Sequence, residues 1–285
     1  MKRESIIEIL LFTVSLFSLV SLMGIVLSIF GEAIPFFREV PFLDFITGKC
    51  WYPTSEPPCF GLLPLLAGSI VVTIGAMLVS LPIGLGTALY LSEFAKPGVR
   101  EILKPFVELL AGIPSVIYGF FGMVILAPLV QKIFRVPVGL NAFTASLLLG
   151  VMTLPTIASI AEDALNSVPV TLREASLALG ATKWETATRI VLPAAKSGIL
   201  TSIVLGAGRA VGETMTVLMV AGGAAVIPRS IFQPVRPITA TIAAEMGEVA
   251  MGSVHYHALF ALAAVLFLST LCFNILAERI KGREG

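Results

Sequence analysis

Residues 174–193 read EASLALGATKWETATRIVLP, a polar and charged segment in a chain that is otherwise strongly apolar. Two hydrophobic stretches, 142–163 and 197–222, flank it, and each is long enough to cross a bilayer. Hydrophobic residues make up 56% of the 285 and charged residues only 13%, against roughly 25% charged in soluble proteins. We therefore interpret the segment as a cytoplasmic docking element of an integral membrane protein.

The apolar pattern predicts an all-α polytopic membrane protein with about six transmembrane helices. The candidate spans are 6–30, 66–92, 106–131, 142–163, 197–222 and 256–278. We treat the whole chain, 1–285, as a single transmembrane permease domain. Three long segments separate the spans: 31–65 and 223–255 on the outer side, and 164–196, a coupling loop, on the cytoplasmic side.

Lysine and arginine concentrate in the segments that alternate spans would place on one side. The segments assigned to the inside hold Lys2, Arg3, Lys96, Arg100, Lys104, Arg173, Lys183, Arg189, Lys196, Arg279, Lys281 and Arg283, against Arg38, Lys49, Lys132, Arg135, Arg229 and Arg236 outside. Cytoplasmic loops carry the excess of basic residues, so we expect both termini in the cytoplasm. The net charge of +1 and the lack of a basic run give no indication of nucleic-acid binding.

The opening segment predicts two short helices joined by a turn. Thr171 and Glu174 have the spacing of a capping box, as do Thr182 and Glu185. Gly180 lies between them and is expected to end the first helix in a left-handed conformation. The second helix is expected to continue to about Pro193.

This segment resembles the signature loop of permease subunits of binding-protein-dependent ABC importers. The pattern is Glu-Ala-Ala, three residues, Gly, nine residues, Ile-x-Leu-Pro, with one small residue exchanged for another. The matching positions are Glu174, Ala175, Ser176, Gly180, Ile190, Leu192 and Pro193. The resemblance implies a type I importer permease (MetI-like) fold in which the loop is a coupling helix seated in a cytoplasmic ATPase.

Further motifs are similar to the C-type permease subunits of phosphate-specific (Pst) importers. They are residues 31–35 (GEAIP), 51–53 (WYP), 60–61 (FG), 82–84 (PIG), 91–93 (LSE), 108–119 (ELLAGIPSVIYG) and 208–214 (GRAVGET). The resemblance implies a sister A-type permease, two copies of an ATPase, and an extracytoplasmic phosphate-binding protein, in the plasma membrane of a prokaryote. The chain has no GxxxxGK[ST] motif, the phosphate-binding loop of many ATPases. We therefore expect that it is not an enzyme and holds no cofactor, and that the partner ATPase binds the ATP.

Arg209 and Glu213 are the ionisable residues expected deepest in the membrane. They lie four positions apart in the fifth candidate span, so a continuous helix would place them on one face. One interpretation is a structural ion pair. The other is a transient anion site in which phosphate competes for Arg209, and the resemblance also indicates that the pair is needed for transport. Ser115 and Tyr118, beside Pro114, are candidates for the same path, although packing explains them equally well.

The remaining candidates carry weaker signals. Cys50 and Cys59 share the first outer segment, where a disulfide and two free thiols are both possible. Glu93 and Glu108 are expected to form structural ion pairs with Lys96, Arg100 or Lys104. No metal site is expected, because His255 and His257 are two positions apart and do not share a helical face.

Two other functions remain open. The same architecture could carry sulfate, molybdate or tungstate, since an arginine does not distinguish tetrahedral oxyanions by charge alone. An ion-coupled secondary transporter or a membrane-embedded enzyme is the third possibility. The coupling-loop pattern opposes it, and no HExxH motif or nucleophile–base arrangement supports an enzyme.

Overall fold

The computed structural model of the chain describes residues 2–282, and the side chains of 7–275 and 278 among them. Of the basic residues assigned above, Arg283 lies outside the described residues, as do the side chains of Lys2, Arg3, Arg279 and Lys281. The helices are α1 Lys2–Ala33, α2 Phe36–Glu39, α3 Phe42–Thr47, α4 Leu63–Leu89, α5 Pro97–Gly112, α6 Ser115–Phe121, α7 Ala127–Phe134, α8 Ala142–Asn166, α9 Val170–Ala178, α10 Lys183–Thr186, α11 Leu192–Ala194, α12 Lys196–Gly212, α13 Met215–Val220, α14 Ile238–Glu245 and α15 Val254–Gly282.

Three π-helical turns and a small hairpin complete the secondary structure of residues 2–282. The π turns are Tyr90–Phe94 after α4, Gly122–Leu126 between α6 and α7, and Ala187–Val191 between α10 and α11. Strands β1 (Trp51–Tyr52) and β2 (Cys59–Phe60) pair antiparallel. The fold is otherwise helical, in agreement with the all-α prediction.

Five helical runs are long and apolar enough to cross a membrane. They are Ile7–Glu39, Leu63–Phe94, Ser115–Phe134, Ala142–Asn166 and Val254–Ile275. A sixth results only if Lys183–Ala194 and Lys196–Gly212, which meet at 72°, are taken as one run. Helix α12 alone has 17 residues, which rise about 25 Å and fall short of a hydrocarbon core of roughly 30 Å.

Two of the expected spans are interrupted. The span expected at 106–131 breaks at Ile113, whose ψ of 125° is extended because the following Pro114 disfavours a helical conformation there. Helix α5 is therefore separate from the run that crosses. The span expected at 197–222 breaks at Glu213, which is extended with ψ of 130°, so α12 and α13 are two half-helices.

Helix α8 lies at the centre of the bundle. It packs against α4 and α12, while the peripheral α1 packs against α15. Between its ends α8 buries a nearly continuous face that includes Leu149, Ile157 and Leu165. Helix α4 runs alongside, and its 27 residues separate the two ends of the molecule by about 40 Å.

We name these ends by their contents. The disulfide end consists of residues 34–62 and 221–253, and its core includes Phe36, Phe45, Trp51 and Phe60. The loop end consists of residues 90–104 and 162–196. Its core is formed mainly by alanine, valine and leucine: Ala88, Ala161, Leu165, Val168, Val191 and Ala195.

Candidate functional site

The loop at 164–196 forms the two short helices that its sequence predicts. Gly180 has a φ of +86°, the left-handed conformation expected of a helix C-terminus. Thr182 and Glu185 form a complete capping box, which confirms the second one. The first capping box is wrong, because Pro169 is the N-cap, two positions before Thr171, which leaves Thr171 inside the first turn of a helix without a side-chain cap.

Glu185 is hydrogen-bonded to Thr182, the residue that precedes the second loop helix. Its carboxylate accepts hydrogen bonds from the backbone N–H and the hydroxyl of Thr182, each at 2.9 Å. Those bonds lower the pKa of Glu185, the backbone bond contributing most, and the nearby Arg189 acts in the same direction. The start of the second loop helix is therefore fixed by an ionised carboxylate.

A hydroxyl pair joins the two loop helices to each other. Ser176 Oγ and Thr186 Oγ1 are 2.9 Å apart and both side chains are buried. Ser176 stands where the family pattern has alanine, so in this chain that position makes a polar contact between helices. The helices enclose a cavity of about 550 Å³ lined by Ala175, Gly180 and Ile190 among others.

The solvent-facing surface of the loop carries large apolar side chains that no described part of the chain covers. Leu179 is 90% exposed and Trp184 is 60% exposed. Glu174, Ala175, Gly180 and Pro193 are also exposed, whereas Ile190 and Leu192 are half-buried. Exposed large apolar side chains at the tip of a helical turn are typical of a surface that binds another protein.

Arg173 attaches the loop to the bundle. Its guanidinium lies 2.8 Å from a Glu93 carboxylate oxygen and also donates to the carbonyl oxygens of Leu165 and Val168, at 2.7 and 2.5 Å. The expectation that Glu93 pairs with nearby basic residues was therefore wrong, since its partner lies 80 positions away. Glu108 is exposed, and no ion pair to it occurs among the described side chains.

Glu162 is a residue that sequence reasoning missed. It is 1% exposed and contacts Arg100 at 2.6 Å and Lys104 at 3.2 Å, both on α5. The available signal was its position inside an apolar stretch, where an ionisable residue is costly and therefore usually paired. The partners of Glu162 could not be inferred from the sequence, because they lie about 60 positions earlier in the chain.

The two helix breaks meet in the middle of the bundle. Thr216 of α13 donates its hydroxyl to the Ser115 carbonyl at the start of α6, at 3.0 Å. The carbonyl of Glu213 in turn accepts from the Thr239 hydroxyl of α14 at 2.8 Å. Backbone groups freed by the breaks are thus satisfied by threonine side chains, which is how irregular backbone is tolerated at membrane depth.

Arg209 and Glu213 lie at this junction, but they do not pair. Arg209 is exposed and donates to Thr156 of α8 at 3.1 Å, while Glu213 accepts from the Thr216 N–H at 3.2 Å. No ion pair joins the two within residues 7–275. The expectation of a shared helical face fails because α12 ends at Gly212 and the chain turns before Glu213.

Ser115 and Tyr118 have different environments. Ser115 is half-buried and contributes its carbonyl to the junction. Tyr118 is buried, and its hydroxyl donates across the first break to the Leu110 carbonyl at 2.9 Å. Tyr118 therefore supports the interrupted helix from within, and among the four candidates Arg209 is the most accessible.

The disulfide end is organised around a second carboxylate. Cys50 and Cys59, for which the sequence left a disulfide and two free thiols open, form a disulfide with a Cα–Cα distance of 5.9 Å. Glu245 accepts from Trp51 at 3.0 Å, from Arg236 at 2.8 Å, and contacts His255 at 2.8 Å. His257 pairs separately with Glu32 at 3.2 Å.

Sequence comparison with known proteins identifies a family and several relatives. Residues 80–283 match the family described as binding-protein-dependent transport system inner membrane component. The probable ABC transporter permease protein YqgH of Bacillus subtilis is 39% identical over 85% of this chain and 78% of that protein. The phosphate transport system permease protein PstC of Mesorhizobium japonicum is 35% identical over 94% of this chain and 88% of its own.

Two solved structures share the fold. A chain of a bacterial ABC transporter involved in import of the acidic polysaccharide alginate has a TM-score of 0.69 and 17% identity, and the match covers 99% of this chain and 96% of that one. A chain of the MetNI methionine ABC transporter, inward facing, has a TM-score of 0.59 and 22% identity over 78% and 94%. The fold is therefore that of a MetI-like importer permease, and the chain belongs to the binding-protein-dependent transport system inner membrane components and, within them, to the PstC permeases.

Proposed function

We propose that this chain is the membrane-spanning permease subunit of an ATP-driven importer of inorganic phosphate. The observation that carries the proposal is an exposed Arg209 side chain at the place where two broken helices meet. Broken helices at membrane depth are typical of protein that lines a polar pathway. A guanidinium there is suited to phosphate oxygens, and the PstC relatives are named for phosphate transport.

Glu213 sets how strongly the anion is held. Its half-buried carboxylate lies at the same junction as Arg209 and carries the charge that repels phosphate. A transport path must release its ion, so a site with one cation and a nearby anion is better suited to passage than to storage.

The exposed loop is the element that connects this path to ATP hydrolysis. Leu179 and Trp184 offer an apolar surface to a separate cytoplasmic ATPase, with Glu174 and Ala175 beside it. ATP is bound and hydrolysed by that partner. One chain supplies one loop, so the complete transporter pairs this chain with a sister A-type permease, two ATPase copies and an extracytoplasmic phosphate-binding protein.

The proposed function implies an orientation of the chain in the membrane. The loop end and both termini lie in the cytoplasm of a prokaryote, where basic side chains are enriched. The disulfide end faces the outside of the plasma membrane, an oxidising environment in which the Cys50–Cys59 bond persists.

Uptake of labelled phosphate tests the cargo. Cells that express the full transporter and lack any other phosphate system are compared with and without this chain, in the presence of excess sulfate, molybdate or tungstate. Loss of uptake without the chain, and no competition, is the expected result. Uptake that is competed by another oxyanion assigns that oxyanion as cargo, and uptake that survives loss of the ATPase supports an ion-coupled transporter.

Arg209 is tested in the same cells. We expect Arg209→Ala to lower uptake at least tenfold at equal membrane abundance, and Arg209→Lys to retain a small part of it, since lysine keeps the charge and loses the bidentate geometry. Arg229→Ala, an exposed arginine at the disulfide end, is the matched control and should transport normally. Normal uptake by both Arg209 variants would refute this role.

A further inference from the structure

Glu162 occupies an unusual position for a charged residue. Among the side chains that the structure describes, it is the only aspartate, glutamate, lysine or arginine that is buried. An ionised carboxylate in such a place is stable only with close cations and further hydrogen bonds. Its position on the central helix α8, one turn before that helix ends at Asn166, makes it a contact point between the loop and the rest of the bundle.

Both cations come from a helix at the surface of the bundle. Arg100 and Lys104 lie four positions apart on α5, which packs along α8 without burying any of its residues. Lys104 also reaches Asp163 at 3.7 Å, but that carboxylate is largely exposed and the contact is weak. The buried carboxylate of Glu162 is therefore the main charged contact between α5 and α8.

A continuous chain of polar contacts leads from Glu162 to the loop. Asn166 donates to Glu162 at 3.3 Å, and its side-chain oxygen lies 3.1 Å from Ser92 Oγ. Ser92 Oγ also lies 3.0 Å from a Glu93 carboxylate oxygen, so its single hydroxyl hydrogen is donated to Asn166 or to Glu93, and Glu93 holds Arg173 of α9. The first helix of the coupling loop is thus connected by side chains to the cations of α5.

The other end of α5 leads to the helix junction. It ends at Gly112, and after two intervening residues α6 begins at Ser115, whose carbonyl accepts from Thr216. A shift of α5 along its axis is therefore transmitted through Ile113 and Pro114 to the residues around Arg209. Proline limits the backbone rotation that could absorb the shift.

We infer that Glu162, with Arg100 and Lys104, is the joint through which movement of the loop reaches the transport path. Glu162 is a positioning residue: it touches neither the anion nor the ATPase and acts by holding α5 to the loop. The inference rests on the proposed function, because it assigns the joint a place in the same transport cycle.

The test uses the complete transporter in proteoliposomes, with the binding protein, and measures phosphate imported per ATP hydrolysed. We expect Glu162→Gln to lower this ratio at least tenfold while ATP hydrolysis stays within about threefold of the native rate. Glu101→Gln, on an exposed position of the same helix, is the matched control and should leave both rates unchanged. Adding Arg100→Gln to Glu162→Gln should cause little further loss, because both act on one contact.

A merely structural role predicts a different result. Import and hydrolysis would then fall together, the ratio would stay constant, and the inference would be overturned. Lys104→Gln leaves Arg100 on the carboxylate and provides a milder variant if Glu162→Gln fails to assemble. It should lower the ratio severalfold, and an unchanged ratio would also overturn the inference.

A distance measurement separates this inference from the cargo assignment. Spin labels at Glu101→Cys and Glu174→Cys, with Cys272→Ser, report the separation of α5 from the loop with and without a non-hydrolysable ATP analogue. In the native background the distance should stay constant, and with Glu162→Gln it should change or broaden when nucleotide binds. A constant distance in both would refute the joint even if phosphate were not the cargo, whereas failure of native import alone would refute only the proposed function.

Discussion

The two ends of the molecule are each built around one carboxylate, and they differ in what surrounds it. At the disulfide end, Glu245 is 15% exposed and is held by three side chains from three separate segments. An aromatic core and a covalent bond lie directly beside it. At the loop end, Glu162 is more deeply buried but is held by one exposed helix, next to a core of small aliphatic residues.

The comparison predicts which end is harder to rearrange. Aromatic side chains bury a large apolar area that rearrangement of the disulfide end would expose, and the disulfide adds stability against unfolding. The loop end depends on charge contacts and threonine hydroxyls, whose geometry can shift without exposing much apolar surface. Each prediction below tests this difference, from the largest expected effect to the smallest.

The largest effect is expected from Trp51→Ala at the disulfide end. Trp51 is the largest fully buried side chain described, and it packs edge-on against Phe60. Removing it should lower the free energy of unfolding by about 3–5 kcal/mol, as for other buried aromatic residues. Thermal unfolding in detergent measures the loss, with the exposed Tyr52→Ala as control. Equal melting temperatures for the two variants would contradict a rigid aromatic core.

Loss of the disulfide should be the next most damaging change. The Cys50–Cys59 bond closes a loop with a sequence separation of 9, for which chain entropy predicts about 2–3 kcal/mol of stabilisation. Cys50→Ser with Cys59→Ser should lower the melting temperature, and added reductant should then have no further effect. Cys272→Ser, which removes an exposed free thiol, should unfold as the native chain does. A reductant-insensitive native protein would contradict this expectation.

One arginine from each end gives the sharpest comparison. Arg100→Gln leaves a buried carboxylate with one cation, Lys104, and the Asn166 amide, and should cost about 2 kcal/mol, because an undercompensated buried charge remains. Arg236→Gln leaves Glu245 with Trp51 and His255 and should cost less than about 1 kcal/mol. Unfolding of the two variants side by side in detergent measures the difference. A larger loss of stability for Arg236→Gln would contradict the expectation that Glu162 tolerates the loss of an arginine less well than Glu245.

The smallest effect concerns the capping box and its pH dependence. Hydrogen bonds from Thr182 lower the pKa of Glu185 in the folded loop, so the stabilisation is fully present above the carboxyl's ordinary pKa. It is lost as the pH falls through the lowered folded value, when protonation weakens the cap. The protection factors for amide exchange of residues 183–187, which are corrected for the intrinsic exchange rate at each pH, should therefore fall by less than about tenfold in acid solution. Thr182→Ala should show the lower protection factors already at neutral pH, with no additional fall in acid.

Local chemistry explains which predictions succeeded. The conformation of Gly180 and the Thr182–Glu185 box depend on neighbours a few positions away, so the sequence contained what was needed. The Arg209–Glu213 pair required a helix to stay continuous over five residues, and the break at Glu213 removed that condition. The apolar composition around the break gave no warning, because spans are recognised by hydropathy and not by backbone geometry.

Long-range charge pairs were not predictable at all. Arg100 and Glu162 are 62 positions apart, and Arg173 and Glu93 are 80 apart, so only the packing of α5, α8 and α9 brings them together. The sequence indicated that a carboxylate within an apolar stretch needs a partner. The sequence contains several basic residues that could pair equally well with Glu93. Those nearest in sequence are not its partners in the structure.

The break between α12 and α13 has an electrostatic consequence for the unloaded transporter. Arg209 lies in the last turn of α12, where the carbonyl ends of a helix attract a cation, and Glu213 precedes the first N–H groups of α13, which attract an anion. Each charge is thus already balanced by a helix end before any ion arrives. In the proposed path, neither side chain is therefore left without a compensating charge when no anion is bound.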